Sequence, residues 1–279
     1  MEKIFQKIGL AVTFSPTGKA LLMEVARLKH LFNSELSLIH VGEKNDASER
    51  MIADLILQSG LGEKEINLCW TTGDPANEIL KFSQLKNLDL LISGALEKEN
   101  ILKFYLGSVA RKIMREASMS TLILKSPSVN PAGFNKFCVN VNFSEQSEKT
   151  IMTAYQFALA DSADEFILVR DFNLPGLTST TIDFNSAEKI DKLKTEQLQS
   201  EEDKLQLLVK ELNLKGINIK TKCIYGKEGW ASSDYARQSA VDLFVVSAQK
   251  RKLKFIDRIF PHEEEFSYEN LPSNLLIIR

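Results

Sequence analysis

Short apolar runs alternate along the chain with longer stretches in which apolar residues return every three or four positions. KIGLAVT, ELSLIHV, EINLCWT, DLLIS and STLILK predict strands over 7–13, 35–41, 65–71, 89–93 and 120–125. Near-continuous Val, Ile and Leu suit a strand covered on both faces. Between them the periodicity predicts helices over 17–32, 47–60, 75–86 and 107–117. Ser15-Pro16 and Asp74-Pro75 supply the N-cap and first-turn proline signals of the first and third. Strand alternating with helix is the pattern of βαβ units and a mainly parallel sheet.

The same order then recurs. VTFS at Val12–Ser15 lies over VNFS at Val141–Ser144, an offset of 129 residues, and ELSLIHV falls over EFILVR starting one residue later, at Glu165. Further on the offset becomes 153: Gly73 matches Gly226, DLLISG matches DLFVVS, and STLILK matches SNLLII. The second copy therefore carries 24 extra residues, between Arg170 and Gly226. There NLPGLTSTTIDFNS reads as a loop and about Ala187 to Leu212 as a long charged helix with a stripe of Leu193, Leu198, Leu205, Leu208 and Val209. A period this long means duplicated domains rather than a solenoid. The expected fold is two tandem Rossmann-like α/β domains, each a five-stranded, mainly parallel sheet with helices on both faces. SPSVNPAGFN marks the boundary, giving domains 1–126 and 136–279, a linker at 127–135 and an insert over about 172–212.

Composition narrows the function classes. With 44% hydrophobic and 26% charged residues the chain is ordinary globular material, and a net charge of −2 gives no general field for nucleic acid or an anionic membrane. Cys69, Cys138 and Cys223 make an odd count with no CxxC spacing, which fits a reducing compartment. No run reaches the ~18 apolar residues of a membrane helix and no secretory leader is legible, so the expected location is the cytoplasm. His30 and His262 lack partners at metal spacing, so no metal is expected, and His40, in an apolar strand, reads as a packed histidine.

In open parallel sheets ligands bind at the carboxyl ends of the strands, where the strand order reverses. In the first copy those ends are Thr13, Val41, Gly94 and the Gly107-Ser108-Val109 opening of the last helix. Glycine admits close backbone approach, and a helix start favours an anion. Alone, such a pair reads more readily as two turn glycines and an N-cap serine. Lys98, Lys103, Arg111 and Lys112 cluster nearby, as they also would on a solvated surface.

AVTFSPTGKALLMEVARL, GDPANEILKFSQLKNLDLLISG and LGSVARKIMREASMSTLILK together resemble the universal stress protein family, along nearly the whole chain and in both copies. The resemblance implies the adenine nucleotide alpha hydrolase-like fold. In members that bind ATP it implies a G-x2-G-x9-G-[ST] signature and an aspartate ending the first strand. Carried to this chain, it implies an adenine-ligand site at Thr13, Val41, Gly94, Gly107, Ser108 and Val109, for ATP or AMP. Glu97 stands where the second signature glycine belongs, and Thr13 where the aspartate does. Copy two departs further, with Asn142, Ser247, Lys250, Phe260-Pro261 and the acidic Glu263–Glu265, so no nucleotide triphosphate is expected there. The resemblance also implies that the fifth strands, Leu122–Lys125 and Leu275–Ile278, face each other as a pseudo-dimer. The expected role is a non-catalytic stress-response regulator, a homodimer or a binder of a further protein. The alternatives are an interaction protein with two degenerate clefts and a weak ATP hydrolase.

Overall fold

The computed structural model describes residues 4–97, 104–105, 107–174, 184–248 and 271–279. Its first half runs β1 (Lys7–Ala11), α1 (Gly18–Phe32), β2 (Glu35–Val41), α2 (Asp46–Gln58), β3 (Ile66–Thr71), α3 (Pro75–Leu85), β4 (Leu90–Gly94), a short β5–β6 hairpin (Leu96–Glu97 with Phe104–Tyr105), α4 (Ser108–Glu116) and β7 (Ser120–Leu124). The second runs β8 (Lys136–Asn140), α5 (Glu145–Ala160), β9 (Glu165–Phe172), α6 (Phe184–Glu211), β10 (Asn218–Tyr225), α7 (Trp230–Gln238), β11 (Leu243–Ser247) and β12 (Asn274–Ile278).

All strands but the hairpin join one sheet in the order β10-β9-β8-β11-β12-β7-β4-β1-β2-β3. Each half contributes the same five-strand order, with its first strand between its second and fourth. Every pairing within a half is parallel, as the crossover helices require. The join is antiparallel, Leu275 opposite Ile123 and Ile277 opposite Thr121, which turns two fifth-strand edges into an interior pair. One brace occurs twice: Asp89 accepts the amides of Gln6 and Lys7 in the first half, and Asp242 those of Asn135 and Lys136 in the second.

The two halves share an apolar core. Phe157 on α5 meets Phe5, Phe32, Phe134 and Phe137 at centroid distances of 6.3, 4.8, 5.8 and 5.3 Å, joining residues of α1, α5, β8 and the connecting segment. Beside it, Asp161 takes the Phe134 amide at 2.7 Å and the Arg27 guanidinium.

Two sequence expectations need correction. Helix α1 starts at Gly18 behind Thr17, with no side-chain cap, so Ser15-Pro16 is not its N-cap; the Ser15 hydroxyl is engaged elsewhere. Asp74, by contrast, caps α3 through the Asn77 amide at 2.9 Å, with Pro75 in the first turn. On α6 the apolar stripe divides: Leu205 and Leu208 are buried, while Leu193 is 53% exposed. The physical reason is length. At ~1.5 Å per residue the 28-residue helix outreaches the eight-residue strands β9 and β10 that it covers, at ~3.3 Å per residue, so its amino-terminal part overhangs the sheet edge.

Candidate functional site

Strand β1 lies between β2 and β4, so connections leave its carboxyl end in opposite directions and open a crevice. A cavity of about 210 Å³ sits there, and Thr13, Val41, Gly94, Gly107 and Val109 all line it. Ser108, the first residue of α4, is exposed and does not line it. Alternation along β2 explains which residues reach the site. Ile39 and Val41 face the cavity and His40 faces away, 6% exposed. His40 is packed between Phe14, tilted against it at 4.6 Å, and Trp70, edge-on at 4.7 Å, and its Nδ1 lies 3.2 Å from the Val12 carbonyl oxygen. It is a packed histidine.

Among the lining residues that escaped the sequence reading are the hydroxyls of Ser15 and Thr17. The Thr13 hydroxyl donates to Ser15 Oγ at 3.2 Å, and Ser15 Oγ lies 3.2 Å from Thr17 Oγ1, a row of three hydroxyls along the cavity mouth. Helix α1 begins close beneath: a Cβ on Gly18 would stand 2.7 Å from the Thr13 carbonyl oxygen, so only glycine lets the helix start there. Polar residues at i, i+2 and i+4 after a strand were the available signal. Among the described residues, all that line the cavity are uncharged. Lys112, one of the cations expected near the phosphates, is paired with Asp74 at 3.5 Å. Lys98, Lys103 and the Glu97 side chain lie outside the described residues.

At the equivalent of Val41 the second half carries a buried carboxyl group. Leu10 opposite Leu38 and Val139 opposite Leu168 are the same pair in the two copies, which puts Asp171 where Val41 stands. Asp171 is 2% exposed. Its Oδ2 accepts the Gly229 amide at 2.5 Å, just ahead of α7, and the Ser232 hydroxyl at 3.0 Å. Ser232 in turn accepts from Asn140 at 2.9 Å. Burial pushes the Asp171 carboxyl above its ordinary value, against the hydrogen bonds that lower it. Asn142 and Ser247 are also engaged, Asn142 Oδ1 with the Ser144 hydroxyl at 2.6 Å and Ser247 with Thr150 at 2.9 Å. Lys250, Phe260, Pro261, His262 and Glu263–Glu265 lie outside the described residues.

Burial pushes the thiols of Cys138 and Cys223 up, the latter to about 11, which keeps both protonated at neutral pH. Among the described residues no group of three His, Cys, Asp or Glu is placed to hold a metal ion, and no helix is long and apolar enough to cross a membrane.

Strand order, crevice and glycine-capped helix define a tandem Rossmann-like α/β protein with an open cleft in its first half. Residues 60–125 match the universal stress protein family. Two universal stress proteins of Methanocaldococcus jannaschii are each 25% identical, over 45% of this chain and 85% and 98% of their own lengths. A universal stress protein from Archaeoglobus fulgidus superposes with a TM-score of 0.64 at 15% identity, covering 98% of this chain and 96% of that one. A functionally unknown protein of Pseudomonas aeruginosa superposes with a TM-score of 0.68 at 15% identity, covering 99% and 93%. The chain is thus similar to the universal stress protein family through the latter part of its first half.

Proposed function

We propose that the chain is a non-catalytic stress-response regulator of the cytoplasm that binds an adenine nucleoside or nucleotide in its first half only. The observation that supports this most is the convergence of Val41, Gly94 and the Gly107 start of α4 on one cavity at the strand-order reversal. Backbone amides at a glycine-capped helix start suit a phosphate, and the apolar walls suit a base. The cavity of about 210 Å³ is below the ~300 Å³ at which drug-sized sites begin, which favours AMP or adenosine over ATP. Restriction to the first half is supported by Asp171, whose carboxylate already meets the start of α7 and would repel a second anion. A non-catalytic role is supported by the described lining, hydroxyls and apolar groups, which among the described residues includes no carboxylate, lysine or histidine to serve as acid or base. Homodimers, or a protein partner, would carry the signal onward.

Calorimetry against ATP, ADP, AMP and adenosine with magnesium tests the reading, alongside a Gly107→Asp, Ser108→Asp variant. Binding of AMP or adenosine, with the AMP affinity lost in the variant, is expected. Absence of heat with every ligand, from folded protein, would sink it and leave a nucleotide-independent interaction protein.

A further inference from the structure

Helix α4 belongs to the first half by sequence, but both halves hold it. Its start, Gly107, lines the candidate cavity together with Val109, Ala110 and Ile113. Ile113 is buried with Ile39, Ile79 and Leu91 of the first half. The other flank, Ala110 and Met114, is buried in a cluster with Phe244, Val246, Leu275 and Ile277 of the second.

The carboxyl end of α4 is held still more directly. Arg279, following β12, sends its guanidinium to the Met114 carbonyl in the last turn of α4, to the Met119 carbonyl at 3.2 Å and to Thr121 Oγ1 at 3.4 Å. Its own amide donates to Ser120 Oγ at 3.3 Å. The last carbonyls of a helix have no partner within it and carry the negative end of its dipole, so a guanidinium there satisfies both needs. Burial draws the Arg279 pKa down to about 10, which leaves it charged at neutral pH.

We propose that Arg279 is a positioning residue for the candidate site: from the second half it anchors the carboxyl end of α4 and thereby sets where the Gly107 end of that helix stands in the first half's cavity. A nine-residue helix moves as a rigid rod, so a shift at Met114 is transmitted to Gly107. Ligand affinity then depends on the packing between the halves, and by reciprocity a bound ligand tightens that packing. The effect on affinity rests on the adenine-ligand reading above; the effect on the helix does not.

The test compares the full chain with Arg279→Gln, Arg279→Lys and a control, Leu214→Ala, which removes a buried second-half side chain away from α4. Two readouts are taken: AMP and adenosine affinity by calorimetry, and amide hydrogen exchange without ligand. Arg279→Gln is expected to raise the Kd about 2- to 30-fold and to speed exchange at Arg111–Ile113, which lie towards the cavity end. Arg279→Lys, which can still donate to the Met114 carbonyl, should recover most of both, and Leu214→Ala should leave both unchanged. Changed exchange confined to Met114–Ala117, or an equal loss in the Leu214 control, would overturn the proposal by reducing Arg279 to a stabilising contact. If the unmodified chain binds neither ligand, the adenine reading fails by itself, and the exchange at Arg111–Ile113 still decides the positioning role.

Discussion

Val41 and Asp171 occupy one position in two copies of one architecture, the first lining a cavity and the second buried in a hydrogen-bonded cluster. A carboxyl group raised by burial binds its proton more tightly folded than unfolded. Its contribution is therefore favourable below the unfolded value of about 4 and is lost as pH rises through the folded value. Asp171→Asn keeps an acceptor for Gly229 and Ser232 but cannot ionise. Urea denaturation across pH 4 to 8 should find the variant more stable than the parent at the alkaline end, with the difference shrinking towards pH 4. Each unit of elevation is worth about 1.4 kcal/mol of that change; a constant difference would show that Asp171 does not titrate between the two states. The sequence held this residue in plain view, at Val41 plus the repeat offset, but an aspartate in an apolar strand reads as an ordinary polar interruption until Gly229 and Ser232 are seen around it. Thr13, Val41, Gly94, Gly107 and Val109, by contrast, were legible because strand ends and helix starts are local features. Ser15 and Thr17 were not, because a row of hydroxyls needs the turn that aligns it.

Helix α6 shows what periodicity settles and what it leaves open. The leucine spacing established a helix, yet nothing in the spacing says how far the sheet beneath it extends. Where it lies on β9 and β10, Glu201 is buried and takes Arg170 at 2.8 Å and Lys204 at 2.8 Å. Leu205→Ala should therefore cost about 2–5 kcal/mol, as for other buried leucines. Leu193→Ser, on the overhang, should stay within about 0.5 kcal/mol. Chemical denaturation of the two variants checks both, and a large cost at Leu193 would mean that the overhang is covered by something.

Across the molecule the joined sheet and the Phe157 cluster make the halves one cooperative unit rather than beads on a linker. Calorimetry is expected to show a single transition whose van't Hoff and calorimetric enthalpies agree. Phe157→Ala, which empties a site touched by four other rings, should lower stability by about 3–5 kcal/mol. Two resolved transitions in the unmodified chain would contradict a shared core.

Hydrophobic patterning by itself determined the strands, the helices and the repeated order, because burial on both faces and the 3.6-residue turn are written in neighbouring residues. It determined the cleft's place as well, since a parallel sheet reverses at its first strand. Only the tertiary structure decided which side chains line the first cleft, what Asp171 bonds to in the second half, where α6 leaves its sheet, and that Arg279 reaches Met114 from 165 residues away. Those outcomes depend on contacts between segments distant in the chain, whose geometry no local pattern specifies.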